Sequence, residues 1–297
     1  MTDRHGLWQD LRANPAALAA VLVALACAGA ALLAPWIAPH DPHDLAAIDL
    51  ADAGLPPAWQ EGGSATFPLG TDDQGRDLLS AILHGTRISL AVGLLSVLLS
   101  ALAGVTIGLV AGYRGGWLDA ALMRLCDVAL SFPPILVALL VSGVGRAVFP
   151  QAQLSLAFGV VVAAIALTGW VPYARTVRAT TRVERGREYV LAARVMGVAP
   201  GRILRRHVLP NVLGPVLVLA TVQVATAILT EATLSFLGVG VPPTSPSLGT
   251  LIRLGQDHLF SGAWWLVACP GAMLVLVSLS VNLFGDWLRD ALNPRLR

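Results

Sequence analysis

Glu188-Tyr-Val-Leu-Ala-Ala-Arg-Val-Met-Gly197-Val-Ala-Pro-Gly-Arg-Ile-Leu-Arg-Arg-His-Val-Leu-Pro210 is the longest polar interruption between apolar, membrane-length runs in the second half of the chain. Nothing between 188 and 196 breaks a helix, and Leu191, Ala192 and Ala193 are good helix formers. Gly197 suits a helix stop, because glycine enters the left-handed conformation at low cost. Pro200 suits the first turn of a second helix, where its missing N–H has no bond to lose. Pro210 is expected to close that helix ahead of the next apolar run. The pattern predicts a helix–turn–helix elbow on one face of a membrane, with small side chains at Ala192 and Ala193 that admit another surface. Two uses fit it: an arginine-rich loop lying on anionic lipid, or a docking knob for a partner.

Outward from the elbow, the composition is that of an integral membrane protein. Apolar residues make up 56% and charged residues 13% of the 297 positions, and the mean hydropathy is +0.70. Soluble domains carry about 25% charged residues. Six apolar runs reach spanning length, at 16–38, 88–111, 127–144, 154–173, 212–230 and 264–284. The fold expected is therefore all-α with six transmembrane helices. The first run also has a signal-peptide reading, with Ala28-Gly29-Ala30 as cleavage site. It exceeds the usual h-region of about 7–15 residues, which favours a retained helix. Gly104 and Gly108, four apart in the second run, form a close-packing device. Pro133-Pro134 should bend the third run where neighbouring protein can satisfy the freed carbonyls.

All 20 basic residues are arginine. With both termini inside, the inner side holds Arg4, Arg12, Arg114, Arg124, nine arginines between 174 and 211, and Arg289, Arg295 and Arg297. The outer side holds only Arg76, Arg87, Arg146 and Arg253. That asymmetry places the elbow and both termini in the cytoplasm. The organisation expected is an N-terminal tail, first helix and acidic outside loop over 1–85, a five-helix transmembrane domain over 86–286, and a cytoplasmic tail over 287–297.

The acidic loop contains Pro68-Leu-Gly-Thr-Asp-Asp-Gln-Gly-Arg-Asp77. It lacks the twelfth-position glutamate of an EF-hand and the GK[ST] of a P-loop, so it reads as a capped turn leading into a helix. No catalytic motif stands in a fitting context. His5, His40, His43, His84, His207 and His258 are scattered without ligand spacing. The three cysteines show no CxxC spacing. No catalytic group, metal or cofactor is expected. Asp127 and Glu231 stand near span ends rather than mid-membrane, unlike the relays of ion-coupled carriers. A membrane protein with neither relay nor nucleotide loop must draw its energy from a partner, which favours docking over lipid binding. The alternatives are a channel or ion-coupled carrier with a lipid-binding basic loop, an intramembrane hydrolase, and a lipid-anchored scaffold.

The elbow resembles the "EAA" loop of ABC-importer permeases: Ala192 and Ala193, Gly197 four residues on, then Val208, Leu209 and Pro210. Leu191 occupies the position of the family's glutamate, and the acid stands three residues earlier at Glu188. Other stretches resemble the dipeptide/oligopeptide/nickel branch. They are the 68–77 run, Asp127-Val-Ala-Leu-Ser-Phe-Pro-Pro134, Glu231-Ala-Thr-Leu-Ser-Phe-Leu-Gly-Val-Gly-Val-Pro-Pro-Thr-Ser-Pro-Ser-Leu-Gly249, and the sixth run with its tail to Arg295. The resemblance implies a type I importer fold and a "C" type subunit beside a homologous second permease. It also implies two cytoplasmic ATPase subunits, an extracytoplasmic substrate-binding protein, surrounding lipid and no nucleic acid. In that scheme Glu188, Leu191, Ala192, Ala193, Gly197, Val208, Leu209 and Pro210 couple to an ATPase. Glu231, Phe236, Pro242 and Pro243 are candidates for an outer gate or binding-protein contact, against the plainer reading of a covering loop. Dipeptides, longer peptides, glutathione, nickel chelates and haem all remain open as substrates.

Overall fold

Asn14, Asp77 and Ser247 each begin a helix by accepting a hydrogen bond from a first-turn amide: Ala17 N at 3.1 Å, Ser80 N at 3.0 Å and Thr250 N at 3.3 Å. Each such cap contributes about 1 kcal/mol. The computed structural model describes residues 10–42, 49–148 and 154–291. Arg4, His5, His43, Asp44, positions 149–153, Arg295 and Arg297 lie outside the described residues.

The helices are α1 (Pro15–Ile37), α2 (Leu78–Arg114), α3 (Gly116–Leu130), α4 (Pro134–Val148), α5 (Leu154–Arg185), α6 (Glu188–Val195), α7 (Pro200–Ile203), α8 (Leu209–Phe236), α9 (Leu248–Gln256) and α10 (Trp265–Ala291). Five helical stretches are long and apolar enough to cross a membrane, and a sixth crossing exists if α3 and α4 count as one bent span. Several outrun the apolar runs that announced them. The second begins at Leu78 rather than 88, and the fourth continues past Tyr173 to Arg185. At 1.5 Å per residue a 37-residue helix such as α2 is about 55 Å long, well beyond a hydrocarbon core of about 30 Å. Hydropathy marks only the apolar part of each helix; α5 goes on beyond it to the elbow at Glu188.

The third run differs most from expectation. It is not one bent helix: α3 and α4 meet at 83°, and α3 starts at Gly116, well ahead of the apolar run at 127–144. The chain turns from α2 into α3 at Gly115 and Gly116, both at positive φ. The break is sharper than one proline requires because two stand in tandem. Each lacks an amide donor and pushes the residue before it out of α geometry.

Gly104, Gly108 and Gly112 bring α2 against α5 almost backbone to backbone. A Cβ at Gly104 would stand 2.4 Å from Trp170 O, and one at Gly108 would stand 2.6 Å from Ala174 O. Between these helices Ser96 and Ser100 donate to Val162 O and Ala166 O, each at 3.3 Å. The 68–77 run is the capped turn expected. Asp72 accepts from Gln74 N and Arg76 N and pairs with the Arg76 guanidinium at 2.6 Å.

Candidate functional site

Glu188–Val195 forms α6, and its end is closed by paired bonds: Val198 N donates to Ala193 O at 3.0 Å and Gly197 N to Arg194 O at 2.9 Å. This is a Schellman closure, which requires a left-handed residue at its centre. Gly197 has φ +74°, and nothing lies within 4 Å of where its Cβ would be. Glycine is needed here for backbone conformation, not for room. Pro200 opens α7 as the sequence suggests.

Pro210 does not close a helix. From Pro200 the chain runs through a π-helical turn, Leu204–Val208, straight into α8. Proline cannot donate to the carbonyl four residues back, and its ring crowds that group. The wider turn, in which Leu209 N reaches Leu204 O, relieves the crowding. Asn211 Nδ2 supplies a donor to the neighbouring His207 O at 2.8 Å.

Only part of the expected coupling set faces outward. Val190, Ala193, Ile203 and Val208 are buried in the main core and hold the elbow to its own chain. Ala193 and Val208 therefore present nothing to a partner, and Leu209 is half-buried. Glu188, Leu191, Ala192, Gly197 and Pro210 are exposed. Beside them stand two residues the motif does not single out: Val195, 89% exposed, and Met196, 74% exposed. Helical spacing puts Glu188, Leu191, Ala192 and Val195 on one face, opposite Val190 and Ala193, but packing decides which of the two is buried.

The elbow is braced to three membrane helices. The Tyr189 hydroxyl donates to Glu184 at the end of α5 and accepts from Asn211 Nδ2 of α8 at 2.8 Å. Burial, and then the Glu184 carboxylate, push the Tyr189 phenol above its usual pKa. The Arg194 guanidinium lies over the Tyr113 ring of α2, 4.9 Å from its centroid, and Arg185 donates to Tyr113 O at 2.8 Å. Arg178 and Arg182 both clamp the buried Asp119, tying α3 to α5, and Arg175 pairs with Asp127 at 2.6 Å. Most of the arginines that look like a lipid-facing patch are thus internal ties. Arg202, Arg205 and Arg206 stand exposed on the far limb.

At the other end, Glu231 is 0% exposed. It accepts from Ser89 Oγ at 2.7 Å and Ser235 Oγ at 2.6 Å. Those hydroxyls in turn accept from Leu248 N and Val241 N. Glu231 therefore cannot touch a docked protein; it is an internal lock between α2, α8 and the segment that follows. Of its companions, Phe236 and Pro243 are exposed and Pro242 half-buried. Arg146, at the end of α4, donates to Gly238 O at 2.6 Å and to Gly240 O, which ties the α4 end to the same corner.

Residues 104–297 match the family described as binding-protein-dependent transport system inner membrane component, and residues 5–57 match the N-terminal TM domain of oligopeptide transport permease C. The chain is 41% identical over 293 residues to the di/tripeptide transport system permease protein DppC of Pseudomonas aeruginosa, covering 98% of this chain and 91% of that one. It is 40% identical over 296 residues to the dipeptide transport system permease protein DppC of Haemophilus influenzae, covering 100% and 96%. Among solved structures, the inward-facing MetNI methionine ABC transporter superposes with a TM-score of 0.56 at 20% identity, covering 73% of this chain and 98% of that one. With its apolar spans and C-type N-terminal segment, the chain belongs to the binding-protein-dependent transport family and is a multi-pass permease subunit of an ABC importer in the bacterial inner membrane.

Proposed function

We propose that this permease forms one half of an ATP-driven import pathway for short peptides. A homologous second permease supplies the other half. Two cytoplasmic ATPase subunits carry out hydrolysis, and an extracytoplasmic binding protein delivers the solute. The peptide assignment rests on the substrates for which the relatives are named, dipeptides and tripeptides. Both termini and the elbow face the cytoplasm, because the arginines gather there.

The observation that carries the reading is the braced, apolar-tipped elbow. A short helix that holds Leu191, Ala192, Val195 and Met196 in water fits docking into a groove on an ATPase. Closure of the ATPase pair would displace the elbow as a rigid body. Glu184, Asn211 and Tyr113 would then pass that displacement to α5, α8 and α2. Gly197 fixes the bend, and Arg202, Arg205 and Arg206 steer the approach. On the outer side, Phe236 and Pro243 offer surface to the binding protein, while Glu231 holds the corner from within.

The test is a single cysteine at Met196 in inner-membrane vesicles, treated with a short bifunctional thiol reagent. Capture of an ATP-hydrolysing polypeptide is expected. Labelling of 188–210 from the extracytoplasmic side alone, or capture of no such polypeptide, sinks the proposal.

A further inference from the structure

A cavity of about 180 Å³ opens between α2, α5, α8 and the α3–α4 break, where Leu130 and Pro134 line it. No charged side chain lines it. Its polar wall is Gln223, Thr226 and Thr230 of α8, facing Ser96 and Ser100 of α2 and Thr168 of α5. On α8 the three residues fall at i, i+3 and i+7, one stripe of a helix face. Thr226 is exposed, and Gln223 and Thr230 are half-buried.

Two independent features indicate that this space holds water rather than lipid. The first is the polar stripe. The threonine and serine hydroxyls here donate to backbone carbonyls: Thr226 to Val222 O at 3.2 Å, Thr230 to Thr226 O at 2.8 Å and Thr168 to Ile165 O at 2.9 Å. Each hydroxyl oxygen keeps lone pairs able to accept a further bond. The Gln223 amide has no hydrogen-bond partner among the described residues. A primary amide left unbonded in hydrocarbon costs several kcal/mol, on the order of 4–8 by alkane transfer. The second is the break inside the bent α3–α4 pair: Leu130 and Pro134 flank it and line this cavity, so the irregular backbone between them adjoins the same space. Such backbone is tolerated only when buried in protein or lining an aqueous space.

We propose that this cavity is a transient, low-affinity station on the translocation path, where Gln223 hydrogen-bonds the backbone amides of the passing solute. The inference rests on the peptide-importer reading above. A carboxamide offers one acceptor and two donors, which match the C=O and N–H of a peptide group. The surrounding hydroxyl oxygens add neutral acceptors. With no fixed charge, the station holds no side-chain type strongly, so it suits solutes of varied sequence that must leave as readily as they enter.

Two measurements test it in a background with Cys27, Cys126 and Cys269 replaced by alanine. In inner-membrane vesicles, cysteine at Gln223 or Thr226 should react with a membrane-impermeant thiol reagent supplied from at least one side. Cysteine at Leu217, exposed on the same helix, should not. Failure of both polar-face positions to react would overturn the station, because the stripe would then face lipid or a sealed subunit contact. In proteoliposomes containing the whole complex, Gln223→Leu should lower dipeptide uptake at least tenfold while the subunits still copurify. Gln223→Asn should recover part of it. Unchanged uptake by Gln223→Leu would also overturn the proposal. If the unmodified complex carries no peptide at all, the importer reading fails instead, and thiol accessibility alone then decides whether the cavity is an aqueous path.

Discussion

The Ser89 hydroxyl donates to the Glu231 carboxylate at 2.7 Å, joining α2 to α8 across 142 positions of sequence. Neither side chain is open to solvent, and Ser235 completes the site from the next turn of α8. A buried polar group in such a place is stabilising only while every member is bonded.

Glu231→Ala is therefore expected to destabilise the outer corner by about 1–3 kcal/mol, since it strands two hydroxyl donors. Ser89→Ala should cost less, because Ser235 still serves the carboxylate. Thermal denaturation in detergent measures both. Equal midpoints for the wild type and Glu231→Ala would show that the lock contributes nothing.

At Gly197 the positive φ decides the outcome of substitution. Gly197→Val should cost about 1–2 kcal/mol in backbone strain and loosen the Schellman closure. Gly197→Asn, a residue that tolerates the left-handed region, should be milder. Gly197→Asp shares that tolerance but places a negative charge on the proposed docking face. It is expected to abolish transport and ATPase coupling with insertion intact. Uptake assays on the reconstituted complex rank the three; normal uptake by Gly197→Asp would refute the docking role.

Met196 makes a sharper test of the knob, because it supports nothing inside its own chain. Met196→Asp should leave insertion and thermal stability unchanged within about 0.5 kcal/mol, as for other surface changes. The prediction is a large drop in copurifying ATPase subunit. Full copurification would move the contact elsewhere.

The α2–α5 seam depends on absent side chains. Gly108→Leu would drive atoms into Ala174 O and Val177 and should prevent correct packing, a cost of at least about 1–3 kcal/mol. Gly143→Leu, with nothing within 4 Å of its Cβ, is the control. Protease resistance in membranes reads both, and equal resistance would deny the close approach.

Most of the architecture is legible in the chain because lipid imposes one rule along its whole length: backbone groups must be satisfied internally, so long apolar runs are helices. Gly104 and Gly108 announce a seam, Gly197 announces a stop, and tandem prolines announce a bend, which the structure makes a full break. The angle of that break, 83°, was not legible, because it depends on what α2, α5 and α8 leave room for. Pro210 misleads for a related reason. A proline reads locally as a helix end, yet a π turn and the Asn211 side chain absorb it, and nothing in the pattern signals either.

Local sequence determined the elements, their order and the membrane setting, since propensity, capping and hydropathy act over a few residues at a time. Tertiary packing alone decided which face of each element is spoken for. It turned Ala193 and Val208 inward, left Val195 and Met196 in water, enclosed Glu231 between serines, and set Gln223 beside an open space. Those outcomes depend on contacts between residues tens to more than a hundred positions apart, and a periodic pattern in one helix carries no information about its neighbour.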